Sequence, residues 1–213
     1  MNLDIDSISF QYEGRILLNR FSLQLSPKTV TVILGPSGVG KSTLLRILAG
    51  LETAHAGDVR RSGSIAYLPQ DDVLLPWKTV RENILLPLTL QKKSASLETL
   101  HITPLLDLYP NQLSGGQRQM VAFERFLLED KEVLLLDEPF SNVDAYIRIQ
   151  LLNRLKTYVE SGKSALLVTH DFQDALRVAD RIVLLSPGGS TQLFDEVVPK
   201  ASDLENAMSS CYI

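Results

Sequence analysis

A short segment near the start of the sequence has the residue types and spacing needed to bind phosphate. It reads Gly35-Pro36-Ser37-Gly38-Val39-Gly40-Lys41-Ser42-Thr43 and fits the pattern G-x-x-x-x-G-K-[ST]. Glycines let backbone N–H groups turn toward phosphate oxygens, Lys41 adds a positive charge, and the Ser42 hydroxyl can ligate Mg²⁺. The segment lies between an apolar β-branched run and a stretch with helical spacing, where such a loop is expected. The sequence therefore predicts a site for a nucleoside triphosphate.

Two adjacent carboxylates, Asp137 and Glu138, follow directly after the apolar run Val133 to Leu136. An acidic pair at the end of a buried strand is unfavourable unless a positive charge meets it. A Mg²⁺ ion shared with Ser42 would neutralise Asp137, and Glu138 could then polarise an attacking water molecule. The alternative is that the pair only begins a polar loop, and the phosphate loop makes that alternative weak.

A second glycine-containing segment, Leu113-Ser114-Gly115-Gly116-Gln117-Arg118-Gln119, precedes apolar residues at helical spacing. Ser114 and the two glycines at a helix N-terminus would form a second anion-binding surface. Kinases, GTPases and motors that share the phosphate loop have no reason to carry this segment. The two motifs together therefore argue against kinases, GTPases and motors among the proteins that carry a phosphate loop.

The elements that must position these residues follow from the spacing of apolar side chains. Alternation predicts antiparallel strands over Leu3 to Tyr12 and Phe21 to Leu25. Strands are also predicted over Thr29 to Leu34, Gly63 to Leu68, Val133 to Leu136, Ala165 to Val168 and Ile182 to Leu185, of which the last three are typical of parallel strands buried on both faces. Helical spacing covers Ser42 to Leu48 and the vicinity of Val80 to Leu86, and prolines punctuate a small helical lobe. The predicted core is therefore α/β.

Composition excludes several classes of protein. The chain has 213 residues, is 45% hydrophobic and carries a net charge of −4, which argues against a generally basic nucleic-acid-binding protein. A single cysteine, Cys211, cannot form a disulfide framework or a cysteine zinc site within the chain. Apolar runs fall far short of the roughly 20 residues of a membrane-spanning helix, and the first residues lack a secretion signal. We therefore expect a cytoplasmic protein.

With these motifs, the sequence resembles the nucleotide-binding subunit of ABC (ATP-binding cassette) transporters over nearly its whole length. The family's motifs fall, in order, on Gly35 to Thr43 (Walker A), Gln70 (Q-loop), Leu113 to Gln117 (signature), Val133 to Glu138 (Walker B), Ser141 to Asp144 (D-loop) and His170 (switch histidine). The resemblance implies a P-loop NTPase core with a mostly parallel sheet and an N-terminal antiparallel β subdomain. It also implies one domain over residues 1–213, with a short helical subdomain inserted at about 71–128.

The resemblance further implies ATP and Mg²⁺ as ligands and gives roles to individual residues. Glu138 would be the base, and His170, Gln70 and Lys41 would complete the catalytic set, whereas a histidine at this position in isolation is more often structural. Gln70 would join Ser42 and Asp137 at the metal. Tyr12 would stack on adenine, although an aromatic residue near a strand end is commonly a packing residue. The nucleotide would also be contacted by the signature of another subunit through Ser114, Gly115, Gly116 and Gln117.

The resemblance implies that the chain pairs with a second copy of itself, or with a related cassette, in a dimer that encloses two ATP molecules. It also implies integral-membrane permease subunits as partners. The segment Asp71 to Arg81 would face those subunits, and Trp77 is expected in the core or at an interface. Leu74 to Trp77, Thr79 to Asn83 and Glu138 to Ser141 are similar to importer cassettes for nitrate, sulfonate, taurine and thiamine precursors. Such an importer also uses a solute-binding protein, and the subunit would lie at the inner face of the cell membrane without nucleic acid.

Two alternatives stay open at this point. Asn83 to Leu88 resembles a segment of cassettes for export or lipoprotein release. A soluble ABC ATPase of DNA repair, chromosome maintenance or translation would need long coiled coils, zinc modules or tandem cassettes, and this sequence contains none of them.

Overall fold

The structure is a computed structural model that describes residues 3–71, 73–91, 102–194 and 209. Its strands are β1 Leu3–Tyr12, β2 Arg15–Leu25, β3 Val30–Leu34, β4 Ala56–Arg61, β5 Ile65–Leu68, β6 Val133–Asp137, β7 Ser164–Thr169, β8 Arg181–Leu185 and β9 Thr191–Phe194. Its α-helices are α1 Lys41–Ala49, α2 Val80–Gln91, α3 Gly115–Leu127, α4 Ala145–Glu160 and α5 Phe172–Val178. Short 3₁₀ turns lie at Thr103–Leu105, Pro110–Gln112 and Pro187–Gly189.

The larger sheet carries the site. Within the described residues its strand order is β5-β6-β7-β3-β8-β9, with all neighbours parallel except β8 and β9. Every residue of β3, β6 and β7 is buried, because helices or the smaller sheet cover both faces. The carboxyl ends of β3, β6 and β7 therefore meet at one edge, where ligands bind in open α/β sheets. The α/β fold prediction is confirmed.

The smaller sheet is antiparallel, with the order β2-β1-β4. The predicted strand Leu3 to Tyr12 is confirmed, whereas the second strand begins at Arg15, well before the predicted Phe21. Strand β4 was not predicted, because its sequence AGDVRR contains a single large apolar residue and none of its side chains is fully buried. It pairs through backbone bonds with β1 as an edge strand.

Two apolar clusters fill the two faces of the larger sheet. Alternate residues of each strand enter opposite clusters: Leu134 and Leu136 of β6 pack toward α3 and α4, whereas Val133 and Leu135 pack toward α1 and the smaller sheet. The loops at the carboxyl edge are thus held by packing on both sides.

The helical part packs α2 against α3. Helix α2 continues through Pro87 to Gln91, beyond the predicted end near Leu86. The buried Asn83 side chain accepts a hydrogen bond from Leu75 N and donates to the carbonyls of Leu75 and Lys78, which fixes the loop before the helix. Trp77, on that loop, is 71% exposed, so the expectation of a core position is wrong and that of an interface position stays a prediction. The subdomain bounds at about 71–128 stay a prediction.

Among the described residues, no helix combines the length and apolar character needed to cross a bilayer.

Candidate functional site

The phosphate loop connects the carboxyl end of β3 to α1. Gly40 lies in the left-handed region, with φ of 113°, and its Cα faces Leu17 so closely that an added Cβ would lie 3.0 Å from the Leu17 Cβ. Only glycine meets both demands without strain. Helix α1 then begins at Lys41, and the free N–H groups of its first turn open toward the loop. The local geometry is that of an anion-binding turn.

Lys41 lies at the floor of the loop and is 4% exposed. Its Nζ donates hydrogen bonds to the carbonyl oxygens of Gly35 (2.8 Å) and Pro36 (2.9 Å) and lies 3.8 Å from Oε1 of Glu138. Burial lowers the pKa of Lys41, and the carboxylates of Glu138 and Asp137 oppose that shift. The ammonium group is thus held in place, with an acidic neighbour on one side.

The buried carboxylate of Asp137 ends β6 and receives two hydroxyl groups. Ser42 Oγ donates to Oδ1 at 2.9 Å, and the phenol of Tyr67 donates to Oδ2 at 3.2 Å. Burial raises the pKa of Asp137, whereas the two hydrogen bonds lower it. Burial and the neighbouring Asp137 raise the pKa of Tyr67, so its phenol keeps its proton. Tyr67 was not among the predicted site residues.

Glu138 is the first residue after β6, and it has a positive φ of 45°. Its N–H donates to the carbonyl of Val168 on the adjacent strand, which holds this backbone conformation. Oε2 of Glu138 lies 3.0 Å from Nδ1 of His170, which follows β7. The structure therefore brings together the predicted base, the predicted switch histidine and Lys41, from three different segments of the chain.

Lys41 and Glu138 line a cleft of about 580 Å³. Its walls include Tyr12, the loop from Ser37 to Thr43, Gln70 and Glu138. Tyr12 is 62% exposed, so its ring is available to a ligand rather than used in packing. Arg46 and Glu52, an exposed ion pair with 3.9 Å between Nη2 and Oε2, also line the cleft and were not predicted.

The predicted signature residues lie elsewhere. Ser114 caps α3: its Oγ accepts from the N–H of Gln117 at 3.2 Å, and Oε1 of Gln117 accepts from the N–H of Ser114 at 2.9 Å. Gly115 lines a different cleft, of about 230 Å³, together with Asn142. Gln70 lines both clefts. Within one chain, the residues Ser114 to Gln117 do not line the phosphate-loop cleft.

The predicted D-loop, Ser141 to Asp144, packs against the start of α3. The carbonyl oxygen of Asn142 lies so close to Gly116 that an added Cβ would be 2.6 Å from it. The Asn142 N–H also donates to Oε1 of Gln119 at 3.1 Å. The D-loop and the signature helix therefore form one packed unit.

Arg148 on α4 ties the D-loop to the segment after His170. Its guanidinium donates to Oδ2 of Asp171 at 2.7 Å and to the carbonyl of Val143 at 3.2 Å. Asp174 is also close, at 3.9 Å, and burial followed by repulsion from Asp171 raises its pKa to about 6. Sequence spacing gave no signal for this arrangement.

Asp137, its partner Ser42 and Gln70, which lines the same cleft as Ser42, offer donors that suit a magnesium ion. The Ser42 hydroxyl, the Asp137 carboxylate and the Gln70 amide are oxygen ligands of the kind that Mg²⁺ prefers. In the described part of the chain, no group of three or more His, Cys, Asp and Glu side chains could hold a metal by itself. A Mg²⁺ ion here would need further oxygen ligands from a bound phosphate, which is the usual arrangement for this ion.

Comparison with known sequences adds independent evidence. A family model described as ABC transporter matches residues 18–141. An aliphatic sulfonates import ATP-binding protein of Rhodococcus jostii is 42% identical over 204 residues, which cover 90% of this chain and 82% of the relative. A probable sulfate/thiosulfate import ATP-binding protein of Chlorella vulgaris is 39% identical, with 91% of each chain covered.

Two solved structures share the architecture. The dimeric structure of a bacterial ABC transporter cassette has a TM-score of 0.79 and 28% identity, covering 93% of this chain and 100% of that one. The structure of an inward-facing metal-chelate type ABC transporter has a TM-score of 0.83 and 23% identity, covering 98% of this chain and 88% of that chain. At this identity, the similarity supports only the assignment of the fold.

Proposed function

The chain belongs to the ABC transporter family, and on that premise we propose that it binds and hydrolyses ATP to energise import of a small anionic solute through separate membrane subunits. The observation that carries the proposal is the convergence of Lys41, Glu138 and His170 at one edge of the sheet, beside a phosphate loop. The relatives compared above are named as import proteins for sulfonates and for sulfate or thiosulfate. These names favour import over export or lipoprotein release. They also favour a role in transport over that of a soluble ABC ATPase.

Nucleotide binding would use groups that are already in place. Lys41, Ser42 and Thr43 at the start of α1 line the cleft, where the N–H groups of a first helical turn can bind phosphate. The Lys41 ammonium can exchange its carbonyl partners for phosphate oxygens. Tyr12 offers an exposed ring in the wall of the cleft, on which an adenine base can stack. Ser42, Asp137 and Gln70 would hold Mg²⁺, which when bound balances charge on the transferring phosphoryl group.

Hydrolysis would begin with Glu138. Its carboxylate is positioned to take a proton from a water molecule that attacks the γ-phosphate in line. The phosphate-loop N–H groups and Lys41 stabilise the negative charge that develops on the phosphate oxygens. His170, held 3.0 Å from Glu138, would orient the carboxylate and contact the γ-phosphate. Gln70 lies between the two clefts and would position the water and the metal.

The second half of the site would come from another copy of the chain, or from a related cassette. The anion-binding surface at Ser114 to Gln117 and the phosphate loop line separate clefts, so one chain cannot apply both to the same nucleotide. In a head-to-tail dimer, each signature would close over the ATP of its mate, and ATP would favour the closed form because it binds that form better. Hydrolysis would then release the closed form.

The membrane subunits would contact the loop before α2. Trp77 exposes 71% of its surface there, and Leu75 and Pro76 directly precede it in the chain. Exposed aromatic residues next to an apolar segment are typical of protein interfaces. The chain would therefore lie at the inner face of the membrane, with a solute-binding protein serving the same transporter on the other side.

Two measurements test this function. Purified protein should hydrolyse ATP and lose hydrolysis, while it keeps ATP binding, when Glu138 is replaced by Gln. A strain that lacks the gene should grow poorly on an aliphatic sulfonate as sulfur source and normally on cysteine, and the wild-type gene, but not a Lys41→Ala copy, should restore growth. Unimpaired growth of the deletion strain on sulfonate and sulfate would argue against the proposed solute class.

A further inference from the structure

Tyr67 reaches the site from a strand that the mechanism above does not use. Strand β5 pairs in parallel with β6, with Tyr67 opposite Leu135. Because side chains alternate along a strand, Leu135 and Asp137 point to the same face of the sheet as Tyr67, toward α1. The phenol therefore meets the Asp137 carboxylate from the side of β5, and Ser42 meets it from α1.

We propose that Tyr67 is a positioning residue for the magnesium site, because its hydroxyl fixes the orientation of the Asp137 carboxylate. This inference rests on the proposed function, since it assigns a part in holding the metal of that same site. Each carboxylate oxygen has one hydroxyl donor, Ser42 on Oδ1 and Tyr67 on Oδ2, so rotation about the Cβ–Cγ bond would break both hydrogen bonds.

The Tyr67 hydroxyl matters because water cannot replace it freely. Asp137 is only 3% exposed, and a buried carboxylate oxygen that loses its donor is left with an uncompensated cost of desolvation. Without the phenol, the Asp137 carboxylate would rotate toward another hydrogen-bond donor. Its oxygens would then no longer have the orientation that Ser42 and Tyr67 together impose. Hydrogen-bonded neighbours of metal ligands typically change metal affinity by about 10–100-fold when they are removed.

Packing and hydrogen bonding can be separated at this residue. The ring of Tyr67 packs against the cluster beneath α1, and a phenylalanine ring fills the same space. The Tyr67→Phe variant therefore removes the hydroxyl alone. Tyr158 on α4 offers a matched control, because it is also partly buried. Its hydroxyl donates to the carbonyl of Lys131 at 3.1 Å.

The experiment compares binding of a non-hydrolysable ATP analogue in EDTA with binding in saturating Mg²⁺, by titration calorimetry. For Tyr67→Phe we expect the metal-free Kd to stay within about twofold of wild type and the gain in affinity from Mg²⁺ to fall about 10-fold. For Tyr158→Phe we expect both values to match wild type. Titration of Mn²⁺ into the protein with bound analogue, followed by electron paramagnetic resonance, should report the same loss of metal affinity.

The outcomes are distinct. Wild-type protein that binds no ATP analogue would overturn the proposed function and this inference together. Wild-type binding with an unchanged Mg²⁺ effect in Tyr67→Phe would overturn this inference alone. Loss of metal-free binding in Tyr67→Phe, with a lower unfolding temperature than Tyr158→Phe, would also overturn it, because the hydroxyl would then serve the fold.

Discussion

Oε2 of Glu138 lies 3.0 Å from Nδ1 of His170, and the two residues directly follow adjacent parallel strands. The other oxygen, Oε1, lies 3.8 Å from the ammonium of Lys41. One carboxylate therefore lies between the Lys41 amine and an imidazole ring, a side chain that can donate or accept a proton. Packing on both faces of the sheet fixes β6 and β7, the strands that Glu138 and His170 directly follow, and Lys41 begins helix α1.

Replacement of Glu138 by Gln should abolish turnover and leave binding intact. The amide keeps the size of the side chain and cannot accept a proton from water, and a general base contributes about 10²- to 10⁴-fold to the rate. ATP hydrolysis should fall by that factor, whereas the Kd for ATP should change little. Glu160→Gln, at the exposed end of α4, is the control and should hydrolyse ATP normally. Wild-type rates in Glu138→Gln would refute the role of Glu138.

Replacement of Lys41 by Ala should weaken nucleotide binding itself. Charge-assisted hydrogen bonds contribute about 1.5–3 kcal/mol, so the Kd for ATP should rise about 10- to 100-fold in equilibrium titrations. Lys163→Ala removes a lysine that is paired with Asp130 at 2.9 Å, away from the cleft, and should bind ATP like wild type. Equal affinities in the two variants would contradict the assignment of Lys41 to the phosphate.

Two neighbouring glycines should respond differently to an added methyl group. An alanine Cβ at Gly116 would lie 2.6 Å from the Asn142 carbonyl oxygen, whereas no atom lies within 4 Å of a Cβ at Gly115. Gly116→Ala should lower the free energy of unfolding by about 1–3 kcal/mol, because backbone must move. Gly115→Ala should not lower it, since alanine favours a helix more than glycine does. Chemical denaturation measures both, and equal losses would show that the D-loop does not constrain Gly116.

Asp174 should make stability depend on pH. Its pKa is raised to about 6 in the folded protein from a usual value of 3.8, so between these pH values the folded protein holds a proton that the unfolded chain has released. The contribution of Asp174 to stability is therefore largest at low pH and falls as the pH rises through this window. Each pKa unit corresponds to about 1.4 kcal/mol.

The Asp174→Asn variant isolates this effect. Its unfolding free energy relative to wild type should rise by about 1–3 kcal/mol between pH 4 and pH 7. Asp107→Asn, at a surface carboxylate that is 88% exposed, should follow the wild-type profile. Parallel profiles for Asp174→Asn and wild type would contradict the raised pKa.

Most of the core fold could be predicted because its strands are buried on both faces. Runs such as Val133 to Leu136 are continuous, and the structure extends that strand by one residue, to Asp137. The edge strands β4 and β9 were missed, since exposed edge strands need no apolar pattern. The end of α2 was placed too early, because a proline is normally a helix breaker and Pro87 lies inside the helix.

The site was predictable where short motifs define it, and not where contacts cross the sheet. Spacing within the phosphate loop and at the end of β6 indicated Lys41, Ser42 and Asp137 directly. The contribution of Tyr67 depends on the pairing of β5 with β6, and that of Arg148 depends on the packing of α4 beside α5. Neither register nor packing can be seen in a linear pattern.

The separation of the two clefts within one chain has a genetic consequence. A variant with a damaged phosphate loop keeps a sound Ser114 to Gln117 surface, and a variant damaged in that surface keeps a sound loop. In the proposed head-to-tail dimer, the two defective alleles expressed in one cell would form heterodimers in which one composite site combines both faults and the other has none. The proposed dimer therefore predicts intragenic complementation between the two classes of variant.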